Sequence, residues 1–168
     1  MELNPYASFL RGLAGEQDAR AVLAATPGLL HTAACALTPE QVAAPIAPGK
    51  WSPLQIVAHL ADCEVVFSFR LRQTLAPSPG QQHAVIQPFD QDAWATHYAG
   101  YDLPSGLELY RAAREWNLKL IGGLSEAEMA RETTHPERGT MTFRTILETM
   151  AGHDLNHLAQ IQRVAAHA

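Results

Sequence analysis

Apolar residues recur along most of this chain at steps of three and four, the period that gathers them on one face of an α-helix. The spacing predicts four long helices. Thr26-Pro27 reads as an N-cap followed by proline in the first turn, with Leu29, Leu30, Ala33, Ala34 and Leu37 on one side. The first bundle helix is therefore placed from Thr26, with a helix or two over residues 5–25 ahead of it. A connection through Pro45 and Pro48 leads to Ser52-Pro53-Leu54-Gln55, a capping box with proline at the first helical position. The second helix starts there and carries Ile56, Leu60, Cys63, Phe67 and Leu71. A third is expected over residues 105–122, with Leu107, Tyr110, Ala113, Leu118 and Ile121 facing the core and Gly122-Gly123 as its end. The last spans residues 142–166, with Phe143, Ile146, Leu147, Met150, Leu158, Ile161 and Val164 inward.

Residues 77–104 keep no sustained period and contain Gly80, Pro88 and Gly100, so they read as a long crossover with a short helix near residues 92–98. Loops of that length inside a domain are often functional. The fold class that follows is all-α, a four-helix bundle with a long middle crossover, in one domain over residues 1–168. A faint repeat relates residues 37–43 to residues 124–130: Leu-Thr-Pro-Glu-Gln-Val-Ala against Leu-Ser-Glu-Ala-Glu-Met-Ala.

Polar residues interrupt the inward stripes at specific places. Continuing the series Phe143, Ile146, Met150 reaches positions 153, 157 and 161, so His153 and His157 fall on the buried seam. At 100° per residue His157 lies about 40° from Phe143 and Ile161, and His153 sits about 80° from Phe143, at the stripe's edge. His59 lies between Ile56 and Cys63 on the second helix's stripe. Three imidazoles from two helices thus point into one bundle, where each would need partners for a donor and an acceptor nitrogen. A divalent metal meets that need, because neutral imidazole is a common ligand and a His pair at i, i+4 gives two bonds from one helix face. Three protein ligands leave positions open for chemistry. Asp62 and Asp154 are placed to fix the tautomer of a ligand. Cys63 reads as packing, with metal ligation or reactivity as its other roles. His31 and His97 lie on poorly defined segments, and His83, His135 and His167 read as solvated, with a substrate role open for His135 beside the last helix. Trp51, Trp94 and Trp116 read as core anchors or interface residues.

Composition narrows the function. Twelve Lys and Arg against 17 Asp and Glu give a net charge of −5, with no local basic cluster, which argues against nucleic acid as a partner. The longest apolar runs are five residues, such as Ala33 to Leu37, against the roughly 20 of a membrane span, so no membrane partner is expected. Two cysteines form no disulfide framework and Met1-Glu2-Leu3-Asn4-Pro5 lacks the features of a secretory signal, so a cytoplasmic location is expected. No Gly-rich phosphate loop, Cys-x-x-Cys or Gly-x-Ser-x-Gly occurs.

Residues 48–53 (Pro-Gly-Lys-Trp-Ser-Pro), 58–62 (Ala-His-Leu-Ala-Asp) and 152–161 (Gly-His-Asp-Leu-Asn-His-Leu-Ala-Gln-Ile) together resemble the DinB-like superfamily and its YfiT-like branch. Residues 88–94 resemble the family's middle segment, so the likeness covers most of the chain. Asn156 stands where many members have another histidine. The resemblance implies a four-helix bundle, often a homodimer, with zinc or nickel held by three histidines, here His59, His153 and His157. It implies chemistry on a small-molecule substrate: thiol S-transfer with a low-molecular-weight thiol such as bacillithiol is the leading expectation, and metal-dependent hydrolysis the alternative. A non-catalytic metal-binding bundle is the reading from another class. An open cleft beside the histidines would separate the enzymes from that bundle.

Overall fold

Eight α-helices and three short strands make up the computed structural model, which describes residues 5–166; His167 and the first four residues of the N-terminal reading lie outside them. The helices are α1 (Pro5–Ala14), α2 (Ala19–Cys35), α3 (Pro39–Ala43), α4 (Pro53–Leu75), α5 (Gln91–Ala95), α6 (Leu103–Gly122), α7 (Glu126–Met129) and α8 (Phe143–Ala166). The strands are β1 (Ala84–Val85), β2 (Glu132–His135) and β3 (Gly139–Thr142). The long helices α2, α4, α6 and α8 form the bundle: α2 and α4 each pack against both α6 and α8, and α1 lies along α8.

Ser52 begins α4 as expected, its hydroxyl accepting from Gln55 N–H while Gln55 Oε1 accepts from Ser52 N–H. The two repeat segments both become short helices with the same device, Thr38 with Gln41 ahead of α3 and Ser125 with Glu128 ahead of α7. The start of α2 differs from the sequence reading. Asp18 caps it, and Pro27 lies in its interior. A proline there removes the N–H that would bond the Leu23 carbonyl. That carbonyl instead accepts from Arg114 Nη1 at 3.0 Å, and the Thr26 hydroxyl donates to the Val22 carbonyl at 2.7 Å. The bundle's own side chains thus make an internal proline tolerable.

The crossover holds β1, α5 and a 3₁₀ turn at Tyr98–Gly100 rather than one helix. β1 pairs in parallel with β2, which pairs antiparallel with β3 through His135↔Gly139. Gly139, at φ 79°, lets residues 136–138 turn tightly between the two strands. This sheet was not expected: its strands have two to four residues and no apolar alternation. α1 approaches α8 at Gly152, where an added Cβ would sit 1.7 Å from the Leu10 carbonyl oxygen. No described helix is long and apolar enough to cross a membrane.

Two apolar clusters fill the bundle. One centres on Leu23, Leu71, Ile121, Phe143 and Met150, the other on Leu30, Ile56, Leu60, Tyr110 and Ile161. Buried polar side chains of α4, α6 and α8 lie with them: Glu64, Arg114, Asn117, Asp154 and the three histidines.

Candidate metal centre

His59 from α4 and His153 and His157 from α8 are buried, and one ring nitrogen from each lies within 4.8 Å of the others. The Nε2 atoms of His59 and His153 are 3.0 Å apart, and the ring centroids of the three are separated by 4.6–5.1 Å. The i, i+4 spacing on α8 and the capping box that fixes the start of α4 bring the three together. His157 Nδ1 is 2.8 Å from Gln160 Oε1; the amide oxygen can only accept, so Nδ1 carries the proton and Nε2 keeps its lone pair. Trp51 stacks on His157 and tilts over His59, with centroids 6.5 and 4.8 Å away.

Burial holds His59 at about pKa 3, with His157 adding to the shift. It also keeps His153 far below the usual imidazole value and His157 below it, the latter partly offset by Gln160 and Asp154. Three neutral imidazoles with converging nitrogens are the donor set that binds a divalent ion. Two Nε2 atoms 3.0 Å apart can share one proton, or both can turn their lone pairs to one cation. The residues present therefore fit a metal.

The aspartates have other partners. Asp154 accepts from Arg114 and Tyr110, at 2.7 and 2.9 Å, and Asp62 accepts from the Tyr98 hydroxyl at 2.8 Å. Neither hydrogen-bonds a histidine of the cluster; Gln160, within the matching motif but given no role by the sequence reading, takes that place. Cys63 Sγ is 3.5 Å from His59 Nε2, and burial pushes its thiol up, so it stays protonated beside the cluster.

A cavity of about 360 Å³ opens beside His59 and His153. Its walls include Cys63 and Phe67 of α4, Tyr6 and Leu10 of α1, and Pro88 and Phe89 of the crossover. The long crossover thus supplies a wall of the site. His135 also borders the cavity and is buried, not solvated, because it closes β2 opposite Gly139 of β3 and is not a loop residue. His31 and His97 are exposed, and half-buried His83 meets the Thr134 hydroxyl at 2.9 Å. Of the tryptophans, Trp51 borders the cluster, while Trp94 and Trp116 are exposed.

The sequence profile described as the DinB superfamily matches residues 23–161. The chain belongs to this superfamily. A relative from Oceanobacillus iheyensis, provisionally named a metal-dependent hydrolase, is 31% identical over 137 residues, 80% of this chain and 77% of its own. One from Geobacillus kaustophilus with the same provisional name is 30% identical over 154 residues, covering 88% and 83%. The solved structure of YfiT from Bacillus subtilis, described as a probable metal-dependent hydrolase with an unusual four-helix bundle topology, superposes with a TM-score of 0.81 at 24% identity, covering 89% of this chain and 85% of that one. The DinB superfamily and the four-helix bundle that the sequence suggested are both found here. These relatives' names speak of hydrolysis, so the thiol S-transferase expectation gains no support from them.

Proposed function

We propose that this DinB-superfamily chain is a metal-dependent hydrolase of a small molecule, with a divalent ion held by His59, His153 and His157. The observation that carries the reading is the cleft beside His59 and His153. At about 360 Å³ it is within the size range of small-molecule sites, and it gives a substrate room directly beside two of the three histidines. A divalent ion there would supply Lewis acidity toward a polarised bond and its attacking water.

The chain's own residues do the rest. Burial keeps the imidazoles neutral, so no proton competes with the ion near neutral pH. Gln160 holds the His157 tautomer that leaves Nε2 free. Trp51 packs against His59 and His157, and Phe67 and Phe89 give the cleft apolar walls that orient a substrate body. Elemental analysis of purified protein, followed by release assays on a panel of small esters and amides, tests the reading. Stoichiometric metal with turnover that chelation abolishes is expected. Full metal content in the His153→Ala, His157→Ala double variant would overturn it, as would a metal-loaded protein inert to the whole panel.

A further inference from the structure

Arg70 and Arg114 are both buried, yet their surroundings differ. Arg114 meets two carboxylates, Glu64 at 2.6 Å and Asp154 at 2.7 Å. Arg70, 6% exposed, meets none among the described residues: its guanidinium donates to the Gln87 carbonyl and lies 5.6 and 6.0 Å from the ring centroids of Phe89 and Phe67. Arg138 stands nearby, and burial together with that second cation brings Arg70 down to about pKa 10. Arg138 also lacks an ion pair among the described residues; its guanidinium rests over the Tyr6 ring, 5.8 Å from the centroid. His135 completes the group. Its Nδ1 accepts from Glu137 N–H at 3.1 Å, so its proton sits on Nε2 as a donor. All three residues border the cleft that His59 and His153 border. Among the described residues Glu137 is the one acid on that wall; its side chain is exposed and forms no ion pair with either arginine.

Two guanidiniums bordering one cleft, one of them buried, are costly without a counter-ion. The same chain gives Arg114 two carboxylates, so the lack of one at Arg70 among the described residues points to an anion that comes from outside. We propose that Arg70, Arg138 and His135 form an oxyanion subsite within the histidine-lined cleft, and that the substrate is a small molecule bearing a terminal carboxylate or phosphoryl group. Guanidinium forks match either group, and Phe67, Phe89 and Pro88 offer apolar surface for the rest of the molecule. As a statement about substrate, the proposal rests on the cleft being the substrate site. As a binding site it stands apart from the metal.

The test titrates chelator-stripped and zinc-loaded protein with benzoate, phenylphosphonate and neutral benzamide by calorimetry. Benzoate or phenylphosphonate binding to the stripped protein is expected, with benzamide at least tenfold weaker, and the tighter of the two anions tells a carboxylate from a phosphoryl ligand. Arg138→Gln should weaken that anion at least tenfold, as should Arg70→Gln. Arg138 is only half-buried, so its variant decides the matter if the Arg70 variant does not fold. Equal binding of benzamide, or unchanged anion affinity in folded Arg138→Gln, would overturn the subsite. Anion binding seen only with zinc and indifferent to Arg138→Gln would overturn it too, while leaving the hydrolase reading in place. Loss of the hydrolase reading, through metal retained by the His153→Ala, His157→Ala variant, would leave anion binding by the stripped protein unaffected.

Discussion

Glu64, Arg114 and Asp154 lie as deep in the bundle as His59, His153 and His157, and residues 153 and 154 are neighbours on α8, yet the two groups meet their polar needs by opposite means. Arg114 donates to Glu64, to Asp154 and to the carbonyl that Pro27 leaves free, and only its Nε lacks an acceptor. Asn117 donates to Glu64 and accepts from Arg72, and Tyr110 donates to Asp154. Burial alone would lower the Arg114 pKa, but Asp154, Tyr110 and Glu64 hold it well above the ordinary value. The histidines have few such partners: Gln160 serves His157, and the nitrogens of His59 and His153 face each other. A buried polar group closed on itself holds four helices in register; one left open is arranged for something the chain does not carry.

The largest effect should come from breaking the closed group. Asp154→Ala leaves Arg114 with one carboxylate and the Tyr110 hydroxyl without its acceptor, and should cost about 3–5 kcal/mol in denaturant unfolding of metal-free protein. His153→Ala, measured the same way, should cost clearly less, because no charge is stranded. Equal losses would erase the distinction between the two groups.

The open group should respond to an ion instead. With free zinc at about 100 times its dissociation constant, the wild type should gain about 2.7 kcal/mol over the chelated protein. The His153→Ala, His157→Ala variant should gain nothing. A similar gain in that variant would place the ion elsewhere. Next in size is Gln160→Ala. Removing the acceptor for His157 Nδ1–H frees the tautomer, and zinc affinity in competition with a chromogenic chelator should fall about tenfold, or about 1.4 kcal/mol. Unchanged affinity would show that the tautomer is fixed by the ion alone.

The open group was largely legible in the sequence, because burial follows helical period and His59, His153 and His157 fall on inward stripes whatever they bind. The closed group was not. Asp154 was placed on the inward face and given a ligand-orienting role, but nothing in the spacing of α6 reveals that Arg114 would compete for it across the bundle. Pro27 misled for the same reason: local chemistry favours a helix start there, and the arginine that repairs an internal proline lies 87 residues away in the chain. Arg70 did carry a signal. It lies seven residues after Cys63 on the same stripe, where a charge is as unexpected as a histidine. From the sequence alone His135 reads as a solvated residue beside the last helix, since its burial depends on β-strands of two to four residues whose pairing no periodicity announces.

His135 offers the most specific test of the open side. Burial first, and then Arg138 and Arg70, bring its pKa down to about 4, against about 6.5 in an unfolded chain. Well above pH 6.5 the ring is neutral in both states and pH changes nothing. Between pH 6.5 and 4 the unfolded chain takes a proton that the folded protein refuses, so the folded state loses stability as pH falls, by at most about 1.4 kcal/mol per unit for one proton. His135→Gln removes that contribution, so denaturant midpoints of the chelated variant should fall less steeply from pH 7 to pH 5 than those of the wild type. The three buried histidines of the cluster remain in both proteins and contribute the same slope to each. An anion seated between Arg70 and Arg138 would offset the charges that depress His135, so benzoate should shrink the difference between the two curves. Parallel curves without ligand would mean that His135 is not held neutral, and a difference indifferent to benzoate would separate its burial from any role beside the arginines.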